Sequence, residues 1–228
     1  MARPTYPRAS EPLPAALPPA ERTVGQLVAE SIRFYGDHFR RSLLLGIAPA
    51  VLVVVGTHVS KHLLYVLTPT LTGALVSAAY VGACVLVLER RPPNRRLVLA
   101  WLIGWLVFVP VPFLVVAFIL PALAWLAAVG LVVPVLVLDD IGPRAALARA
   151  WRLARADYVH ALGSLATLAI VVLLTQGMLA FLLRGSGGTA LSTAFFLANV
   201  VISPLLFIGS ALLYVDQAAR GPGTGETS

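Results

Sequence analysis

Long apolar runs alternate with short polar segments along most of the chain. Apolar residues fill 43–59, about 67–88, 160–183 and 191–214. A further stretch, 97–138, continues for 42 residues without a charged side chain. As one helix it would be about 63 Å long, twice the ~30 Å hydrocarbon core of a bilayer, so it has to cross twice. The pattern predicts an all-α, polytopic membrane protein with six transmembrane helices.

The connections between these spans are short. Lys61 and His62 fall in the turn that separates the first two spans, and 184–190 (RGSGGTA) forms a flexible loop between the last two. The reversal inside the long run lies between Pro110 and Pro121, and composition leaves its position open.

Two shorter segments have apolar residues at helical spacing on one side and charges on the other. The first, about 23–40, begins with Thr23 and Gln26 in the spacing of a capping box. The second, 143–157, begins with Pro143, which suits a first helical turn. Both are predicted to be amphipathic helices that lie in the membrane interface.

The same two regions contain a weak internal similarity. Residues 29–39 (AESIRFYGDHF) align with 148–158 (ARAWRLARADY) at an offset of 119. Each segment is followed directly by an apolar span. An internal repeat and a chance likeness between two arginine-rich helices are both open.

The ends of the chain are polar. Residues 1–21 contain six prolines and no apolar core, and 217–228 are short and polar, so both are predicted to be disordered tails. The first segment lacks the apolar region of a cleaved signal peptide. The six-helix membrane domain is therefore expected to span 22–216.

Composition agrees with a membrane class. The chain is 59% hydrophobic and 12% charged, with a mean hydropathy of +0.89. Soluble domains are about 45–50% apolar and about 25% charged. The net charge of +7 is typical of a nucleic-acid-binding protein, but the arginines collect at the borders of the apolar runs. Membrane lipids, and no nucleic acid, are therefore the expected partners.

The basic residues also predict the orientation. With six spans both termini share a side, and that side holds 15 of the 17 Lys and Arg residues. The positive-inside rule assigns this side to the cytoplasm. The two interfacial helices are then predicted to lie on the cytoplasmic side as well. We expect a multi-pass protein of the bacterial plasma (inner) membrane with both termini in the cytoplasm.

One segment carries a family pattern. In PVLVLDDIGPRAALARAWRLARADYVHALG a proline, an acidic residue, a glycine and an Ala-Leu-x-Arg helix follow one another. The matching positions are Pro134, Asp139, Gly142, Ala146, Leu147, Arg149, Trp151 and Leu153. The ending LLYVDQAAR adds a Leu-Tyr-x-Asp pattern with its arginine displaced to Arg220. The chain resembles the glycerophosphoryl diester phosphodiesterase membrane-domain family and related six-span bacterial proteins.

The resemblance implies six helices with two interfacial helices, and it implies no catalysis. In the fused members of that family the phosphodiester chemistry belongs to a separate soluble barrel, which this chain is too short to contain. We therefore predict that the protein is not an enzyme.

The acidic and histidine residues do not assemble a metal site in the sequence. Metal-dependent lipid enzymes need several carboxylates on one face, and after Asp139 and Asp140 the next acid is Asp157. His58 and His62 have the spacing of a zinc pair but lack further ligands nearby. No catalytic, cofactor or metal site is predicted.

Two structural sites are predicted instead. Asp216 ends the last span, and we expect at least one of Arg33, Arg149 and Arg152 within salt-bridge distance of it. Gln176 and Asn199 lie about 11–12 Å below the loop that joins spans five and six, at the same depth. They are expected to face the bundle interior and to bond each other or a shared partner.

These observations favour an accessory or scaffold protein that interacts with lipid and with a membrane or cytoplasmic protein partner. The first alternative is an uncoupled transporter or channel, which needs a polar cavity lined by Thr167, Thr175, Asn199 and Ser203. The second is a lipid-modifying enzyme, which needs a third carboxylate beside Asp139 and Asp140. The sequence does not determine the ligand or the oligomeric state.

Overall fold

The computed structural model describes residues 18–58, 61–89, 91–139, 141–185 and 187–220, and for 57, 58 and 61–68 only the backbone. After a 3-10 turn at Pro19–Glu21, the described chain is built from ten α-helices. They are α1 (Val24–Asp37), α2 (Phe39–His58), α3 (Lys61–Val87), α4 (Asn94–Phe108), α5 (Val111–Ala117), α6 (Ile119–Val129), α7 (Val132–Leu138), α8 (Pro143–Ala156), α9 (Tyr158–Leu183) and α10 (Gly188–Arg220).

The prediction of an all-α fold is confirmed for the described residues. Six helical stretches are long and apolar enough to cross a bilayer. They are Phe39–Gly56, Pro69–Val87, Asn94–Ala117, Ile119–Leu138, Tyr158–Leu183 and Gly188–Arg220.

The turn that the sequence left open lies at Phe118. Its backbone is extended (φ −171°, ψ 144°), and this residue alone separates α5 from α6. Because Pro110 has already interrupted the helix after Phe108, the third stretch consists of α4 followed by the short α5. Both large side chains at the turn, Val116 and Phe118, face outward.

The first turn differs from the prediction. α3 begins at Lys61, so Lys61 and His62 belong to a helix rather than to a connecting turn. The described part of α3 has 27 residues and is longer than the span of about 67–88 predicted from hydropathy alone. The side chains of His58 and His62 lie outside the described residues.

The boundaries of α1 and α2 recur in α8 and α9 at a constant offset along the chain. α1 and α8 each have 14 residues, and each is followed by one residue that leaves the helical region: His38 (φ −115°, ψ 27°) and Asp157 (φ −149°, ψ 71°). A membrane helix starts directly after each. All these positions are 119 residues apart, the offset of the weak sequence similarity, which supports the internal-repeat interpretation.

A short part of each predicted tail is helical. Pro19–Glu21 form a 3-10 turn, and α10 continues to Arg220, four residues beyond the predicted end at 216. Gln217 is buried, which explains why the helix persists there. Residues 1–17 and 221–228, the rest of the two predicted tails, lie outside the described residues.

α10 is the central helix of the bundle and packs against α1, α2, α3, α8 and α9. Indole N–H groups form hydrogen bonds between neighbouring helices. Trp101 Nε1 of α4 donates to the Ala74 carbonyl of α3 (2.8 Å), and Trp125 Nε1 of α6 donates to the Val107 carbonyl of α4 (2.8 Å). In an apolar surrounding such a bond avoids the cost of an unsatisfied N–H.

Candidate functional site

Helix α1 lies lengthwise against α10. Arg22, just before α1, contacts Asp216, and the Tyr35 hydroxyl donates to the Val201 carbonyl (2.7 Å). Between these points, a Cβ on Gly209 would lie 3.1 Å from Ser31 Oγ. The chain from Arg22 to Tyr35 therefore runs antiparallel to α10 between Asp216 and Val201, over about 20 Å of shared length. The Thr23–Gln26 capping box that starts α1 is present as predicted.

Packing along this seam buries Asp216 completely. Its Oδ1 lies 3.1 Å from Arg22 Nη1, and the two side chains are 0% and 12% exposed. The prediction that Arg33, Arg149 or Arg152 would pair with Asp216 is wrong. Arg33 lies near Glu30 (3.7 Å) and Arg149 near Asp139 (3.0 Å), while Arg152 is exposed.

The reason is the direction of α1. Because α1 runs antiparallel to α10, Arg22 just before the start of α1 lies beside Asp216, and Arg33 lies far along the seam. Arg149 belongs to α8, which packs mainly against α6 and α7. No sequence pattern singles out Arg22, since it stands alone in front of the capping box.

A second ion pair lies at the same end of the bundle. Arg220 Nη1 lies 2.6 Å from Asp157 Oδ2, and its other guanidinium nitrogen donates to the Arg22 carbonyl. Gln217 Nε2 donates to the Asp157 carbonyl (3.1 Å). This cluster ties the residue before α1, the start of α9 and the end of α10 together.

Several polar atoms in the cluster are buried without a hydrogen-bond partner among the described residues. Asp216 Oδ2 and His160 Nε2 are 4.0 Å apart, and this contact is ionic only when the imidazole is protonated. Gln217 Oε1 is also buried and unbonded. The cluster thus combines complete ion pairs with unused hydrogen-bonding capacity.

Helix α8 presents a different kind of surface. Its buried face consists of small residues and one leucine: Ala146, Ala150, Leu153 and Ala154. Its outward face carries Leu147 (51% exposed) and Trp151 (43% exposed) together with Arg144, Arg152 and Arg155, all exposed. The Arg155 guanidinium carbon lies 4.7 Å from the Trp151 ring centroid. Aromatic, aliphatic and cationic groups therefore share one exposed face.

Asp139 anchors the beginning of this segment. Its carboxylate is 3.0 Å from Arg149 Nε. Burial raises the pKa of the Asp139 carboxyl above its ordinary value, and the Arg149 guanidinium offsets part of that rise. The contact holds α8 against the end of α7. Asp140 lies outside the described residues.

The predicted amide pair is confirmed. Gln176 Nε2 donates to Asn199 Oδ1 at 3.2 Å, which joins α9 to α10. Asn199 Nδ2 donates in turn to the Phe195 carbonyl (2.9 Å). Asn199 is 8% exposed and both amides face the interior, where they border a cavity.

This central cavity has a volume of about 290 Å³ and lies between α3, α6, α9 and α10. Its wall is mainly apolar, and of the lining residues that the structure describes none carries a formal charge. Asn199 and Ser203 line it, as the channel alternative requires. Thr167 and Thr175 are not among its lining residues, and their hydroxyls donate to carbonyls of their own helix.

Within the part of the chain that the structure describes, no three His, Cys, Asp or Glu residues are close enough to hold a metal ion. Searches against protein-family models, curated proteins and solved structures found no match to this chain.

Proposed function

We propose that this is a non-enzymatic, multi-pass protein of the bacterial plasma membrane, with an accessory or scaffold role, that binds anionic lipid through α8. The observation that carries the proposal is the exposed face of α8, where Leu147 and Trp151 alternate with Arg144, Arg152 and Arg155. Helix α8 contains no acidic residue.

Only one environment suits such a face. Water would leave a leucine and a tryptophan unburied, and hydrocarbon would leave three arginines without solvation. The headgroup region accepts both, because aromatic side chains concentrate there and anionic headgroups attract arginine. The alanine face explains how the helix can pack closely on the bundle and still present this surface to lipid.

The transporter or channel alternative is supported by the central cavity. The wall of the cavity is apolar, and none of its described lining residues is charged, so this alternative is favoured less than the lipid-binding proposal. Membership in the glycerophosphoryl diester phosphodiesterase membrane-domain family, which would fit an accessory role, stays a prediction.

Lipid binding can be measured directly. Detergent-purified protein is titrated at low salt with phosphatidylglycerol or with phosphatidylcholine of matched chains, and bound lipid is counted by native mass spectrometry. Wild-type protein should prefer phosphatidylglycerol. Each arginine near an anionic surface contributes about 1 kcal/mol, so replacing Arg144, Arg152 and Arg155 with glutamine should reduce that preference by up to about 100-fold.

A matched pair of single variants controls for general loss of charge. Arg155 and Arg184 both lie over an aromatic ring, 4.7 Å from Trp151 and 4.6 Å from Phe181, at opposite ends of α9. R155Q should weaken phosphatidylglycerol binding, and R184Q should leave it unchanged. Equal effects of the two variants, or wild-type protein without a preference, would contradict the proposal.

The proposed orientation has its own test. Both termini are in the cytoplasm if the arginine-rich borders face inward. A fluorescent-protein fusion after Arg220 should then fluoresce, and an alkaline-phosphatase fusion after Gly187 should be active outside the membrane. The reciprocal fusions should be silent. Activity of the same reporter at both positions would refute the six-span topology.

A further inference from the structure

We infer that the central cavity is a binding site for one hydrocarbon chain that carries a neutral polar group, with the polar group at the Gln176–Asn199 amide pair. The site is separate from the exposed face of α8 and does not depend on anionic lipid. Its ligand class is a single-chain neutral lipid from the bilayer, such as a long-chain alcohol.

The shape of the cavity selects a chain. Lining residues recur on one face of α10 from Asn199 to Leu213, and on α9 from Leu165 to Gln176. Fourteen residues of helix correspond to about 21 Å. A volume of about 290 Å³ distributed along that length is narrow. Compact ring systems would leave most of it empty, whereas an extended alkyl chain fits along it.

The chemistry of the wall favours an apolar occupant. Of the four hydroxyl groups in the described lining, all but that of Thr72 have a partner within the protein. Ser203 Oγ donates to the Asn199 carbonyl (2.5 Å) and Ser210 Oγ to the Leu206 carbonyl (2.7 Å). The Tyr80 hydroxyl is directed to the Ser210 carbonyl (3.5 Å). Mainly apolar cavities can take up nonpolar ligands, as a cavity of roughly 150 Å³ does with benzene.

One end of the cavity differs from the rest. In the amide pair, Gln176 Oε1 and one N–H of each carboxamide are left over after the bonds to Asn199 Oδ1 and the Phe195 carbonyl. These groups can donate to and accept from a hydroxyl. With no charged lining residue described, a carboxylate or ammonium would be left uncompensated there. A neutral headgroup is therefore selected over a charged one.

Photolabelling tests this inference. Wild-type protein in nanodiscs is irradiated with diazirine-bearing dodecanol, dodecane or dodecanoate, and the labelled peptides are mapped by mass spectrometry. Dodecanol should label the inward faces of 165–176 and 199–213. It should do so more than dodecane, by about threefold to twentyfold, the range for one hydrogen bond inside a membrane protein. Dodecanoate should label these faces least.

Two variants separate specific occupancy from labelling by bulk lipid. Ala169 and Ala127 line the cavity, and A169F, or A127F if the first fails to fold, should abolish inward labelling. Labelling of the outward residues Leu174, Met178 and Leu182 should persist as an internal control. Q176L should remove the preference for dodecanol over dodecane. Inward labelling that survives cavity filling, or wild-type labelling confined to the outward face, would overturn the inference.

Discussion

Replacing Asp216 with alanine is expected to lower the free energy of unfolding by about 3–5 kcal/mol, because it breaks a buried ion pair by removing one of its two partners. Asp216 is fully buried and Arg22 is 12% exposed, so little solvent screens the lost partner. For a chain of this size the apparent Tm should fall by about 10 °C. Thermal unfolding of purified protein in detergent, followed by size-exclusion chromatography, measures the change.

Two further variants identify the cause. R33A removes a guanidinium whose side chain is 40% exposed and which lies 3.7 Å from Glu30, so it should change the Tm little. The double variant R22M/D216L removes both charges and should recover most of the loss, because buried ion pairs are often replaced by apolar groups without penalty. If D216A is as stable as R33A, the pair does not hold the α1–α10 seam together.

The identity of this pair illustrates what the sequence could not provide. Hydropathy and charge placed Asp216 at the end of the last span and anticipated an arginine partner. Choosing among arginines requires the direction in which α1 crosses α10, and periodicity contains no information about the packing of one helix on another. Arg22 and Asp216 are 194 residues apart, and their contact follows only from the antiparallel seam.

The amide pair shows the opposite case. The loop between α9 and α10 is short, so counting residues from its two ends sets the depth of Gln176 and Asn199 in the bundle. The cost of leaving an amide in hydrocarbon then requires a partner at the same depth. Local connectivity and one physical penalty were enough to predict a contact that the structure places at 3.2 Å.

A close helix crossing was not visible in the sequence either. Gly46 of α2 packs against the backbone of Val200 in α10. Four residues later Pro204 lacks an N–H, so the Val200 carbonyl has no helical donor from that position. The Gly46 Cα can approach this carbonyl directly, a contact that contributes weakly but repeatedly at helix interfaces. A single glycine and a proline 158 residues away together define the crossing.

Gly46→Ala is therefore expected to destabilise the protein by about 1–3 kcal/mol, and Gly46→Leu by more. A Cβ on Gly46 would overlap the Val200 carbonyl oxygen and lie 2.6 Å from its carbon, and backbone atoms cannot rotate away as a side chain can. The helices must separate, which exposes the α2–α10 interface.

Gly56 offers a matched control on the same helix, because a Cβ there meets nothing within 4 Å. Thermal unfolding in detergent should give a lower Tm for G46A than for wild type, whereas G56A should match or exceed wild type, since alanine favours the helix over glycine. Equal Tm values for G46A and G56A would mean that α2 does not need this close approach. A loss confined to G46A would identify the Gly46–Val200 contact as the point at which α2 is fixed to the central helix.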